Sequence, residues 1–269
     1  MHLVNKIIRV NGICLLSIML LLLAAETQAF GRTGHNMICD MSYQLVQPAT
    51  RNKLDKLLQA TPYQRFGPAC VWPDEVRSQD EFAWSRPHHY INLQRGETKV
   101  TRQHCPEVGC VVSAIEDMQR RLQQDKTDWQ ALLFLSHHIA DLHQPLHVSF
   151  ADDLGGNRTA VYFFGEPSNL HGVWDTAMLV KLGYNEPAKQ QQLFASLTPA
   201  MQQKWQDSDL MTWTNESASI TIGLYQQYRP GMLIDDSYLT KHQQVLEQRL
   251  LQAAVRLAAT LDALFAGKE

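Results

Sequence analysis

The sequence predicts a mainly α, single-domain helical bundle with long loops and little β. Three observations carry this expectation. Apolar residues recur at helical spacing through most of the chain, strand-like composition is confined to short pieces, and no repeat, low-complexity tract or glycine–serine linker divides residues 30–269.

Taken in chain order, the first element is a leader. Lys6 and Arg9 precede an apolar run over 13–25, and small Ala29 then stands before Phe30. That order of charge, apolar run and small residue is the pattern of a cleavable secretory signal over 1–29. A membrane anchor is the alternative, but the run is shorter than the ~18–20 residues a spanning helix needs. Residues 30–269 remain as the single domain.

Helices are predicted over 34–46, 48–58, 111–124 and from 127 to about 142. Thr127 with Gln130 three residues later reads as a capping box, and Pro145 ends the helix. Asn169, an amide suited to capping, opens another helix that Gly183 terminates. "TAVYFF", residues 159–164, is the strand signal and follows the turn-like "LGGN". Leu246, Leu250, Ala254, Leu257, Leu261 and Leu264 fall on one face of a C-terminal helix, for which the sequence suggests packing alone.

Removing Lys6, Arg9 and Glu26 with the leader leaves 22 basic and 26 acidic residues of the 24 and 27 in the whole chain. A net acidic chain lacks the broad basic footprint of non-specific duplex binding, so any attraction for a polyanion must be local. Cys39, Cys70, Cys105 and Cys110 survive the cut. In an exported chain an even count predicts two disulfides, and four cysteines allow three pairings. The short loop from Cys105 to Cys110 favours that pair, leaving Cys39 with Cys70. A four-thiolate zinc site is the competing reading, but the spacings resemble no zinc ribbon.

"FLSHHIADLHQPLHV", residues 134–148, places four histidines and an aspartate among apolar residues. His137 and Asp141 are four apart and share a helix face; His171 and Asp175 in "NLHGVWD" repeat that spacing. His147 lies between the pairs, past Pro145. One such pair alone is more often a surface pair or a satisfied core hydrogen bond. Two pairs on different helices, a loop histidine, and the upstream candidates His35, Asp74 and His89 point instead to a polynuclear metal site inside a bundle. Imidazole and carboxylate without thiolate suit zinc. His138 and His143 are rotated away from the pair and read as supporting or packing residues.

"FGRTGH", "WPDEVR", "HYIN", "LSHHIADLHQPLHV", "GGN" and "NLHGVWD" together resemble, in order and spacing, the secreted zinc-dependent single-strand nucleases of the mung-bean nuclease type, whose members also act as 3′-nucleotidases. The resemblance implies the phospholipase C and single-strand nuclease type of fold, three Zn2+ and their ligands. Asp74, His89 and His137 would hold one ion. The backbone amine and carbonyl of Phe30 with His35 would hold a second, Asp141 would bridge the two, and His147, His171 and Asp175 would hold the third. Cleavage after Ala29 then becomes a chemical requirement, because an amide nitrogen inside the chain cannot donate as a terminal amine can. The family usually begins with Trp where this chain has Phe30; since the ligating atoms are backbone, the change should alter packing more than ligation.

The resemblance further implies a hydroxide shared between the bridged ions, in-line attack on phosphorus, and 5′-phosphate products from single-stranded DNA and RNA. Asp74, Arg77 and Asp141 are the expected catalytic residues, with Arg77 bracing phosphoryl oxygens and an ion pair to Glu75 or Asp80 as its alternative. Arg77, Tyr90, Asn92 and Asn157 are the expected substrate contacts: Tyr90 as a stacking face or else a core aromatic, Asn92 as an amide for a base edge, Asn157 as a contact or a turn residue. The partners expected are single-stranded nucleic acid and 3′-mononucleotides, with no protein partner, no membrane anchor after cleavage, a monomeric state and a periplasmic or secreted location. A zinc-dependent phospholipase C and a non-catalytic zinc-binding envelope protein are the competing functions.

Overall fold

The computed structural model of the chain describes residues 30–206 and 209–265; the expected leader lies outside them. The helices are α1 (Gly31–Leu45), α2 (Pro48–Leu58), α3 (Phe66–Ala69), α4 (Trp72–Val76), α5 (Val111–Gln124), α6 (Trp129–His143), α7 (Leu170–Gly172), α8 (Met178–Lys181), α9 (Pro187–Ala195), α10 (Pro199–Gln206), α11 (Leu210–Gln227) and α12 (Asp236–Phe265). The mainly α expectation holds. Between the predicted helices, α9 to α11 and a 3-10 stretch at Asp80–His89 occupy segments read from sequence as loop.

α6 is the axis of the bundle. It is apolar nearly all round, and every residue from Ala131 to His143 is buried, which is why it sits inside rather than on a face. α5 and α12 pack on it, and α1 packs on α12 and α3. α5 turns Val111, Ile115, Met118 and Leu122 inward at one-turn intervals. Trp72, Trp84 and Phe134 meet edge-on or tilted, at 5.3 and 4.9 Å from Phe134, and back the outer side of α6.

The start of α6 differs from the predicted capping box. Asp128 is the cap, accepting from Ala131 N at 2.9 Å, while the Thr127 hydroxyl donates to Asp125. The carboxylate is the stronger acceptor for an orphan N–H, and it lies one residue nearer the first turn. Pro145 does end the helix: it forces Gln144 out of the helical region, to φ −77° and ψ 116°. The freed carbonyls are claimed by other elements, Leu142 O by Ser217 Oγ at 2.6 Å and His143 O by Arg249 Nε at 3.1 Å.

Two small sheets complete the fold. β1 (Ile91–Leu93) runs parallel to β2 (Val148–Phe150), pairing Ile91 with Val148 and Asn92 with Ser149. β3 (Ala160–Phe163) pairs antiparallel with β4 (Glu166–Asn169) and parallel with β5 (Leu233–Ile234). Asn92 is therefore a strand residue. The β1–β2 pairing also sets His89 and His147 side by side just before the two strands.

The disulfides join Cys39 to Cys70 and Cys105 to Cys110, the favoured pairing. The first closes a 31-residue separation and staples α1 to the segment before α4. Replacing both Cys39 and Cys70 by alanine is expected to cost about 3 to 4 kcal/mol on the loop-entropy relation, read from denaturant midpoints; a change below 1 kcal/mol would contradict it.

The C-terminal helix does more than pack. Arg249 and Arg256 on α12 are both 1 % exposed, and their guanidinium groups converge on Glu216 of α11 at 2.6 Å. Arg256 Nη1 also donates to His143 Nε2 at 3.0 Å, which places His143 in this network as a supporting residue.

Candidate metal centre

Asp141 is the hub of the site. Its carboxylate is fully buried, with Oδ2 2.9 Å from His89 Nδ1, 3.3 Å from His137 Nε2 and 3.6 Å from His138 Nδ1, and with Oδ1 3.4 Å from His35 Nε2 and 3.9 Å from His147 Nδ1. Burial alone would raise its pKa, but the His137 imidazole, the other imidazoles around it and the hydrogen bond with His89 outweigh that and hold it well below the usual carboxylate range. Asp74 takes the opposite course: burial pushes it up to about 6 against the pull of His89 and His35.

Donor atoms converge in three groups, each within 4.8 Å: His35, Asp74 and His137; His89, His137 and Asp141; and His147, His171 and Asp175. His137 belongs to the first two, so those form one continuous centre. The trio of Asp74, His89 and His137 converges as well, with Asp74 Oδ1 3.9 Å from His89 Nδ1 and 3.7 Å from His137 Nε2.

Whether these residues fit metal can be judged from their unmet hydrogen bonds. Both ring nitrogens of His35 and both carboxylate oxygens of Asp74 are buried without a protein hydrogen-bond partner. Leaving such atoms unpaired costs about 1 to 3 kcal/mol each, so a cation binding among them recovers a large term. The imidazoles are also oriented for ligation. His137 Nδ1 donates to Cys70 O at 2.8 Å, His147 Nδ1 to His89 O at 2.6 Å and His171 Nδ1 to Gly155 O at 2.8 Å. A carbonyl only accepts, so the proton is fixed on Nδ1 and the Nε2 lone pair faces the cluster. The donors fit a divalent ion of zinc type.

The backbone brings distant segments to this spot. α1 carries His35, α4 carries Asp74, and α6 carries His137 and Asp141. Phe30, fully buried in the left-handed region at φ 42°, starts α1 and accepts from Gly34 N at 2.9 Å. Gly34 is required there, since a Cβ would lie 2.6 Å from Phe30 Cβ. The neighbouring Gly31 abuts Thr176 and the Asp175 carbonyl, so the first turn of α1 rests on the segment bearing the third group. Asn169 caps as expected, accepting from Gly172 N at 2.7 Å, and the helix expected after it runs from Leu170 to Lys181 with Gly183 beyond its end, but with a π turn over Val173–Ala177 in its middle. The wider turn carries Asp175, whose Oδ2 sits 3.0 Å from His171 Nε2.

The loop after β2 is set by Asp153, which accepts from Gly156 N at 3.0 Å, Thr159 Oγ1 at 2.6 Å, Tyr225 Oη at 2.6 Å and Arg95 Nη2 at 3.0 Å. Gly155 has φ +64°, and a Cβ on it would come 2.8 Å from Leu146 O. A Gly155→Ala variant must shift the carbonyl that holds His171. It is expected to weaken metal binding at the third group about 10- to 100-fold in chelator competition, with the first two groups unaffected; equal affinity would show that the carbonyl is dispensable.

A cavity of about 370 Å3 opens over the donors, with His89, His147 and His171 in its floor. Arg77, Tyr90, Asn92 and Asn157, the four expected substrate contacts, all line it. Arg77 Nη1 lies 3.5 Å from Asp74 Oδ1, and Glu75 pairs with Arg32 at 2.9 Å. Tyr90 is 44 % exposed, which rules out a core role. Asn157 both lines the cavity and donates from Nδ2 to Leu154 O at 2.9 Å, combining its two expected roles. Sequence reasoning missed Arg86, whose Nε donates to Arg77 O at 3.0 Å, and Leu154, an exposed apolar residue at φ 55° on the rim. A basic residue inside "RPHHYIN" was the available signal for Arg86; Leu154 gave none. A larger groove of about 690 Å3, between Lys99 and Gln252, lies away from these donors.

The family model described as S1/P1 Nuclease matches residues 30–266. The chain belongs to the S1/P1 nuclease family. Endonuclease 4 of Arabidopsis thaliana is 30 % identical over an alignment covering 89 % of this chain and 90 % of its own length. Nuclease S1 of Aspergillus oryzae is 26 % identical, covering 90 % and 94 %. The solved alpha-toxin of Clostridium perfringens has a TM-score of 0.46 at 13 % identity, covering 90 % of this chain and 65 % of that one. Membership makes the chain a phosphodiesterase of the nuclease type and sets its three His/Asp groups in that context.

Proposed function

We propose that the chain is an exported zinc-dependent endonuclease that cuts single-stranded DNA and RNA to 5′-phosphate products and also acts as a 3′-nucleotidase. The observation that supports it most is the cluster of three adjoining buried His/Asp groups beneath a cavity that Arg77, Arg86 and the exposed ring of Tyr90 line and that reaches the donors through His89, His147 and His171. Export is supported by the two disulfides and the leader-like composition of residues 1–29.

The residues that would hold three zinc ions are Phe30 through its backbone, His35, Asp74, His89, His137, Asp141, His147, His171 and Asp175. Zinc, when bound, supplies a water acidic enough to be a nucleophile near neutral pH and positive charge opposite the phosphate. In this reading Asp141, within 4 Å of five imidazoles, would serve both the ion held by Asp74, His89 and His137 and the one held by Phe30 and His35. Arg77, steadied by Asp74, braces the phosphoryl oxygens as negative charge develops, and Arg86 adds a second cation beside it. Water adds to phosphorus, the bond to the 3′ oxygen breaks and that oxygen takes up a proton. Tyr90 stacks a base and Asn92 meets its edge, which favours splayed strands over duplex at low sequence specificity. Concentrating cationic charge in the floor reconciles a net acidic chain with a polyanionic substrate.

The test is elemental analysis of the chain beginning at Phe30, with cleavage of single-stranded DNA, duplex DNA, a 3′-mononucleotide and phosphatidylcholine before and after chelation. About three zinc per chain, with single-strand cleavage lost on chelation and restored by zinc, is expected. Cleavage of the lipid alone would favour a phospholipase, and zinc without hydrolysis would favour a storage protein.

A further inference from the structure

Next to the catalytic cavity, and sharing Tyr90 and Asn92 with it, runs a second groove of about 520 Å3. The two differ in charge. Arg77 and Arg86 line the cavity, whereas no lysine or arginine among the described residues lines the groove. Its polar lining is instead the amides of Gln94 and Gln103 together with Glu97 and His104, which pair with each other, and Pro87, Pro106 and Val108 give apolar surface.

The groove wall is held in shape without a ligand. The Cys105–Cys110 disulfide closes the loop, His88 Nε2 donates to Val108 O at 3.2 Å, and Val111 N donates to Tyr90 O at 3.1 Å. Glu97 is engaged within the wall, accepting from Gln94 N at 2.7 Å and lying 2.9 Å from His104 Nε2. Val108 is nevertheless 71 % exposed and Tyr90 44 % exposed, so apolar surface stands free at both sides of the groove.

We propose that this groove is a second subsite, which takes the base of the nucleotide adjoining the one at the scissile phosphate in a single strand. The inference rests on the nuclease reading of the neighbouring cavity. A phosphate belongs beside Arg77 and Arg86, and a groove lined by amides and a His104-paired Glu97 carboxylate, with no lysine or arginine, is unsuited to it. A nucleobase is uncharged, flat and rich in donors and acceptors, which amide side chains and exposed apolar surface match. Because Tyr90 and Asn92 border both spaces, one strand passing over Tyr90 places consecutive bases on either side of it. A paired base cannot make that crossing, so the groove adds to the preference for single strands.

The experiment is a four-rate cycle on the metal-loaded protein. Substrates are short single-stranded oligonucleotides with one cleavable linkage, intact or abasic at the nucleotide adjoining the scissile one, with the abasic position placed on either side in separate substrates. The enzymes are the wild type and a Gln103→Ala, Val108→Ser double variant, two exposed positions outside the catalytic machinery. On one side only, loss of the base is expected to lower wild-type kcat/KM about tenfold, the size of one base–aromatic contact. The double variant should lose a similar factor on the intact substrate and nothing further on the abasic one. Independent, multiplying losses, or no loss from either change, overturn the subsite while leaving the nuclease reading intact. A wild type that cleaves no single strand overturns both.

Discussion

Replacing Asp141 by alanine is expected to slow phosphodiester cleavage on the order of 1,000-fold or more, about 4 kcal/mol of lost transition-state stabilisation, and to strip metal from the two groups that share His137. The size follows from position. One buried carboxylate lies within 4 Å of five imidazoles, and it supplies the anionic charge that a cation among His35, His89 and His137 needs. His147, His171 and Asp175 depend on it far less, so the variant should retain roughly one zinc per chain. Metal content and single-strand cleavage are the two readings, with far-UV circular dichroism to show that the bundle is intact. Wild-type zinc content with a wild-type rate would reduce Asp141 to a buried counter-charge.

The second large effect is on stability. Glu216→Gln keeps the shape of the side chain but removes the carboxylate on which Arg249 and Arg256, both buried, converge. Breaking such a pair from one side costs about 3 to 5 kcal/mol; because Glu216 is about one-third exposed, the lower end is expected, near 3 kcal/mol. For a domain of this size that lowers Tm by about 6 to 12 °C. The effect has a pH signature. Burial by itself would raise the Glu216 pKa, but Arg256 and Arg249 hold it below its ordinary value of 4.5. A carboxylate depressed in the folded state contributes stability that is present above its unfolded pKa and lost as pH falls through the folded one. The gap between wild type and variant should therefore be full at neutral pH and shrink below about pH 4.5. A gap independent of pH would mean that the variant acts through packing.

The bundle was legible where composition and periodicity agree. The 48–58 and 111–124 helices coincide with α2 and α5, because a proline at the first turn starts one and the inward spacing of Val111, Ile115 and Met118 defines the other. α11 was not legible, since its Thr214, Ser217 and Thr221 are weak helix formers whose value is tertiary: Ser217 donates to Leu142 O in the last turn of α6 and Thr221 to Pro145 O just beyond it. The donor residues could be read because imidazole and carboxylate four apart on an apolar helix have few inexpensive explanations. Their supports could not. Cys70, Gly155 and His89 act through backbone carbonyls, which leave no trace in side-chain chemistry. The π turn at Val173–Ala177 likewise has no residue signature, and only the packing of α1 against it shows why Asp175 faces inward. Arg249, Gln252 and Arg256 do share one helix face, but among leucines they read as solvent-side interruptions.

Cys70 has two duties at once. Its sulfur is bonded to Cys39, one turn beyond His35, and its oxygen steadies His137. Oxidative maturation and assembly of the reactive cleft are thereby mechanically joined, so a newly made copy still in a thiol-rich cytosol would lack the tie that aligns the two histidines.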